Sequence, residues 1–329
     1  MIPWPSGWGE EDHRGAGSSI HYNKEASMAD HSFIDIHIHT YTTRAIGMQA
    51  KGGGPGSSGY AGTMEELLPY MAELGMTHAA MMNFTPVADM VDAARARLPK
   101  EHTPAQRQAA EEPIRLQMVG RVQNRNVWTC DLARANPNLI AFIGVDTVMD
   151  AETMASEVYE KHKLGARGIK LHPEVQRISI NDPRLYPAYR AAQETGMVIL
   201  THTGAFRGTD GSHAHPAMAA DLVRAFPNLK LILAHLGGGI YQKEALQVAD
   251  AFPQLLFDCC GSVRPREGGL SDGELVALFR RIGIHRILYG SDWASGDPAP
   301  DLERISRLPM SEEEKRMLLR GNAESLLEL

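Results

Sequence analysis

At 329 residues, with 43% apolar and 22% charged residues, the chain has the length of one large domain and the composition of a globular protein. No apolar run approaches the ~20 residues that span a bilayer, and 33 basic against 40 acidic residues leave a net charge of −7 without a lysine and arginine cluster, which argues against membrane and nucleic-acid partners. Three cysteines, Cys130 alone and Cys259-Cys260 adjacent on an apolar run, suit reduced thiols in a cytoplasmic setting rather than a disulfide framework.

Residues 1–31 carry Pro, Gly, Ser and mixed charge, as in Gly15-Ala16-Gly17-Ser18-Ser19, without the basic start and apolar stretch of a secretory signal; a poorly ordered N-terminal extension is expected there. Phe33-Ile34-Asp35-Ile36-His37-Ile38-His39 follows, alternating at period two. That pattern puts Ile34, Ile36 and Ile38 on one face of a strand and Asp35, His37 and His39 on the other. Two imidazoles two residues apart can reach one ion, the start of a metal site; the alternative is a polar face turned to solvent. The glycine-rich stretch 51–59 lacks the Gly-Lys-Ser/Thr ending of a phosphate loop and reads as a lid over the strand end.

From Thr63 the pattern alternates helix and strand. Thr63 caps a helix that Gly75 ends, and His78 to Asn83 is a buried second strand. Residues 86–137 read mostly helical and exceed what one barrel helix needs, an insertion suited to a cap or an oligomer contact, a homodimer in the simplest case. Further strands fall at 139–145, 166–171, 197–202, 229–235, 255–260 and 286–290, and Ser311-Glu312-Glu313-Glu314 is a capping box opening the last helical stretch. Eight buried strands separated by helices predict a parallel, closed (β/α)8 barrel, a TIM barrel, as a single domain over residues 32–329.

In such barrels chemistry gathers where strands run into the following loops. The strands here end in His39, His172, His202 and His235, and the eighth runs into Asp292. Taken together, Asp35-x-His37-x-His39, Gly168-Ile169-Lys170-Leu171-His172-Pro173, Thr201-His202-Thr203-Gly204, Ala234-His235-Leu236-Gly237-Gly238, Tyr289-Gly290-Ser291-Asp292-Trp293 and Gly321-Asn322-Ala323 resemble the amidohydrolase superfamily. Within it the chain is most similar to the amidohydrolase-related branch of metal-dependent hydrolases, lactonases and decarboxylases, from about residue 33 onward.

The resemblance implies that His37, His39, His202 and Asp292 hold a divalent metal, zinc first and manganese second, with Asp292 also moving protons and His235 orienting water or steadying charge. Lys170 points into the barrel on period two, where an unpaired ammonium is costly. It has three readings: carboxylated and bridging two ions, with His235 then joining the ligands; a cation for a substrate carboxylate; or a buried partner of Asp35 or another carboxylate. His172 shares that ambiguity. Arg264 and Trp293, with His213 and His215, stand on the side where substrate should enter. The expectation is a hydrolase that uses metal-activated water on a small-molecule carbonyl substrate such as a lactone, cyclic amide or ester-like ring. The alternative is a non-oxidative decarboxylase of an aromatic or unsaturated acid, and a scaffold that has lost its chemistry is the remaining reading.

Overall fold

The computed structural model describes residues 32–52, 58–238, 240–265 and 268–329. The N-terminal extension and most of the glycine-rich stretch expected to form a lid lie outside them. One eight-stranded sheet runs in sequence order, every neighbouring pair parallel: β1 Phe33–Ile38, β2 Met76–Met82, β3 Leu139–Gly144, β4 Gly168–Leu171, β5 Val198–Thr201, β6 Leu231–Leu233, β7 Leu256–Asp258 and β8 Ile287–Leu288. The sheet closes through Ile36 N–H donating to the Tyr289 carbonyl at 3.0 Å and Asp292 N–H to the His37 carbonyl at 2.8 Å. Helices cover its outer face, so the expected (β/α)8 barrel is the fold.

The strands divide their side chains between two apolar clusters, as a barrel strand buried on both faces must. Ile34, Ile36, Ala80, Met82, Ile140, Phe142, Val198, Leu200, Ile232 and Leu288 fill the interior, while Phe33, Met81, Ile143, Ile169, Ile199, Leu233, Phe257 and Ile287 face the helices. Gly168 makes room for this filling, because a Cβ there would stand 2.2 Å from the Phe142 ring. Ala323 and Leu327 of the last helix join the interior cluster, and Asn322 Nδ2 donates to the Ile284 and Ile287 carbonyls at 2.7 Å each, fixing that helix under β8.

One expectation from the sequence is corrected here. Ile34 and Ile36 face the interior, but Ile38 packs on the outer cluster, so the three isoleucines do not share a face. The pairing of β1 with β2 shifts register between Asp35 and Ile38, an irregularity of the kind that re-aims side chains beside functional sites. It turns the Asp35 carboxylate back onto the chain, where Oδ1 accepts from His37 N at 3.0 Å and Ser291 N at 3.1 Å.

The 86–137 stretch forms two helices, α3 Val87–Ala96 and α4 Pro104–Ala135, after α1 Arg44–Ala50 and α2 Met64–Leu74. The long α4 starts from a Thr103 and Gln106 capping box with Pro104 in its first turn, where the missing N–H costs nothing. It braces the mouth of the barrel: Asn126 exchanges two 2.8 Å hydrogen bonds with the Gly144 backbone, and Asn83, at the end of β2, bonds both Thr40 and Thr129. Among the described residues no helix is long and apolar enough to cross a membrane.

Candidate metal centre

Above the apolar filling, the inward rows of β4 and β5 continue into Lys170, His172 and His202, part of a group of ionisable side chains at the C-terminal end of the barrel. β1 supplies His37 and His39. Gly290, just past β8, leaves His37 its space, since a Cβ there would lie 2.7 Å from His37 Cβ. Two residues later the chain takes Asp292 at φ 63°, a left-handed conformation that costs a non-glycine residue roughly 1 kcal/mol or more. The turn holds it by Ser295 and Gly296 N–H groups, both donating to the Asp292 carbonyl at 2.7 Å.

Asp292 Oδ1 then stands 3.1 Å from His39 Nε2 and 3.9 Å from His37 Nε2. One ligand atom from each of these three residues falls within 4.8 Å of the others. Burial alone would raise the Asp292 pKa, but the His39 hydrogen bond and the electrostatic pull of the surrounding imidazoles overcome it and hold the carboxyl below its usual range, so it is ionised. His37 is the reverse case: burial first, then the Lys170 charge, keep its imidazole well below the usual value and neutral.

Lys170 is fully buried, its Nζ 2.9 Å from His37 Nε2. Burial brings its pKa down to about 8, against the pull of Asp258 and Asp292. The partnership with Asp35 expected as one reading does not form: Asp35 Oδ1 accepts from backbone donors and Oδ2 is buried without a partner, and burial pushes its carboxyl up to about 7.

On the β4 and β5 side, His172 and His202 stack with ring centroids 4.1 Å apart and planes 12° from parallel. Burial lowers both pKa values well below the ordinary imidazole value. His202 Nδ1 lies 2.9 Å from His235 Nε2, while His202 Nε2 and His172 Nδ1 are buried without a partner. His235, which follows β6, is left-handed at φ 62°, and its other ring nitrogen lies 3.3 Å from the Cys260 carbonyl. Of the four expected ligands, then, three gather and His202 stands with His235 and His172.

Phe84 and Phe206 complete the rim. His172 lies 5.1 Å from Phe84 and 4.6 Å from Phe206, centroid to centroid, and Phe84 reaches His39 at 6.1 Å. The other expected substrate contacts are engaged elsewhere. Trp293 is wholly buried against Tyr60, and Arg264 donates to the Ser291 carbonyl at 2.9 Å and stands 3.7 Å from Asp301. His215 packs on Tyr241 at 4.4 Å, and the His213 backbone N–H donates to Glu174.

Asp258, the last residue of β7, is the group that a search for strand-end histidines overlooks. Its Oδ2 meets His37 Nδ1 at 2.8 Å and its Oδ1 accepts from the backbone N–H of His235 at 2.8 Å and of Cys260 at 3.1 Å. The signal was available, since an aspartate closing the apolar run Leu255-Leu256-Phe257 occupies the same kind of position as the histidines.

Known proteins share both the fold and stretches of sequence. A segment of 98 residues is 32% identical to the "Probable dihydroorotase" of Schizosaccharomyces pombe, covering 26% of this chain and 29% of that protein's length. The 5-carboxyvanillate decarboxylase of Sphingomonas paucimobilis superposes with a TM-score of 0.62 at 15% identity, over 90% of this chain and 99% of that one. A dihydroxybenzoic acid decarboxylase of Polaromonas sp. JS666, solved with manganese and 2-nitroresorcinol, superposes with a TM-score of 0.67 at 15% identity, over 91% and 97%. These likenesses establish the fold, and the sequence profile of the amidohydrolases matches residues 34–329, a span that takes in every residue of the cluster. The chain belongs to the amidohydrolase family.

Proposed function

We propose that this protein is a divalent-metal-dependent decarboxylase of a small, flat carboxylic acid, aromatic or unsaturated. The observation that carries the reading is the wall of rings formed by Phe84, His172 and Phe206 beside His39 and the ionised Asp292, because ring faces favour a planar substrate by stacking. A free inward cation at Lys170 would favour water attack by polarising a carbonyl or anchoring a distal carboxylate. With its ammonium buried on His37, Lys170 offers a substrate nothing. The decarboxylase names of the structural relatives point the same way.

The donor set fits a divalent ion. His37 and His39 offer nitrogens and Asp292 a carboxylate within 4.8 Å of one another, and His202 Nε2 is a buried nitrogen with no other partner. Neutral imidazoles with one carboxylate suit zinc or manganese. Bound by these residues, such an ion would supply Lewis acidity and a fixed positive charge. Asp292 does the proton work: it enters as carboxylate, takes a proton from the substrate hydroxyl or from water as the acid binds, and delivers it to the carbon that bears the carboxylate. The bond from that carbon to the carboxylate then breaks, its electron pair restores the unsaturated system, and carbon dioxide leaves. The rings of Phe84 and Phe206 keep water from competing for the proton.

The dihydroorotase segment favours a second reading, hydrolysis of a cyclic amide or lactone, in which Asp292 takes a proton from attacking water and passes it to the leaving group. Turnover of hydroxybenzoates, lactones and cyclic amides in oxygen-18 water separates the two. Decarboxylation predicts carbon dioxide release with no label in the organic product, and in deuterium oxide one deuterium at the carbon that lost its carboxylate. A labelled product carboxylate with no carbon dioxide would replace the proposal with the hydrolase.

A further inference from the structure

Asp258 touches neither His39 nor Asp292, yet it holds two parts of the centre at once. Its carboxylate is wholly buried at the end of β7 and spends both oxygens: Oδ2 on the His37 ring, Oδ1 on the backbone N–H groups of His235 and Cys260. A carboxylate oxygen accepts, so His37 Nδ1 must donate. On the other side of the same ring Lys170 Nζ lies 2.9 Å from Nε2, and an ammonium has only donors, so Nε2 must accept. Two independent neighbours therefore require one tautomer, with the proton on Nδ1 and the lone pair on Nε2, 2.9 Å from Lys170 Nζ and 3.9 Å from Asp292 Oδ1.

β7 reaches the second histidine pair in the same way. The Cys260 carbonyl, 3.3 Å from His235 Nδ1, can only accept. His235 Nδ1 then carries the proton, its Nε2 accepts, and the donor facing it at 2.9 Å is His202 Nδ1. The buried, partnerless His202 Nε2 is left as a lone pair. Asp258 Oδ1 underlies this chain as well, because it ties down the left-handed His235 backbone and the N–H of Cys260.

We infer that Asp258 is the positioning residue of the centre, fixing His37 with its Nε2 lone pair turned inward and, through His235 and Cys260, leaving His202 Nε2 free to ligate. The inference rests on the metal-dependent reading above, and its test separates the two. Asp258→Asn keeps the shape and the Oδ1 acceptor but puts an amide donor opposite His37 Nδ1, so it demands the inverted tautomer. It also sets an Nε2–H against the Lys170 ammonium.

Long-range nitrogen-15 NMR of the metal-free, full-length protein should show His37 protonated at Nδ1, and titration with manganese or zinc should give an affinity about 10- to 100-fold weaker in folded Asp258→Asn, the scale seen when the group orienting a histidine ligand is changed. A His37 proton on Nε2 in the wild-type protein overturns the inference, and this measurement stands even where Asp258→Asn does not fold. Folded Asp258→Asn with unchanged affinity overturns it too. A wild-type protein that shows the Nδ1–H tautomer but binds no divalent ion supports the positioning role and overturns the metal reading instead.

Discussion

Across the mouth of the barrel, the histidine on β1 and the histidines after β4 and β5 are treated differently by the protein around them. His37 spends both ring nitrogens on protein partners, Asp258 and Lys170. His202 and His172 stack face to face and keep a buried nitrogen each without a partner. Buried polar atoms are nearly always bonded, and Asp35 Oδ2 and Trp293 Nε1 are further buried exceptions, but of these four atoms the two imidazole nitrogens are the neutral lone-pair donors of the kind a divalent ion takes. The chain itself supplies both partners of His37, whereas on the other side it leaves His202 Nε2 and His172 Nδ1 without one.

The largest effect expected from that contrast is at Asp292. Asp292→Asn removes the only carboxylate among the gathered ligand candidates and the proton carrier with it, and kcat should fall by about 10³-fold. His172→Leu, on the unpaired side, keeps volume and loses the stack on His202, for an expected fall of about 10-fold. Parallel kinetics on the two variants check the order; a larger loss at His172 than at Asp292 would invert the roles of the two sides.

The next effect is on stability. Asp35 is held at about 7 by burial, against an ordinary value of 3.8. The folded chain therefore keeps a proton that the unfolded chain releases near pH 4. The stabilisation is complete below about pH 4 and is lost as pH rises through about 7, a change on the order of 1 to 3 kcal/mol for one buried carboxyl. Denaturant unfolding of the metal-free protein between pH 4 and 7 should show that slope, and Asp35→Asn should flatten it. An equal slope in the variant would assign it to other groups.

How much of this was legible in the sequence follows the physics of each element. The eight strands stand out because a barrel strand is buried on both faces and reads as an apolar run, and His39, His172, His202, His235 and Asp292 stand just past the ends of five of them. The shift between Asp35 and Ile38 leaves no trace, because the alternating string is the same whether or not one residue slips. Position on a face also says nothing about which neighbour a side chain meets. Lys170 was free to pair with Asp35 on period two alone, but in the structure its Nζ lies 2.9 Å from His37 Nε2 while Asp35 Oδ1 turns to the His37 and Ser291 backbone N–H groups. Trp293 looked open to substrate because it follows Asp292, but the left-handed turn at Asp292 sends the indole into the packing against Tyr60.

The most direct test of the contrast between the two sides is where an ion goes. Crystals of the protein grown with manganese or zinc, measured at the absorption edge of that metal, should show one anomalous peak per chain, roughly 2.0–2.3 Å from nitrogens of His37, His39 and His202 and an oxygen of Asp292. A peak elsewhere, two peaks per chain, or a single site that leaves His202 stacked and unligated would contradict it.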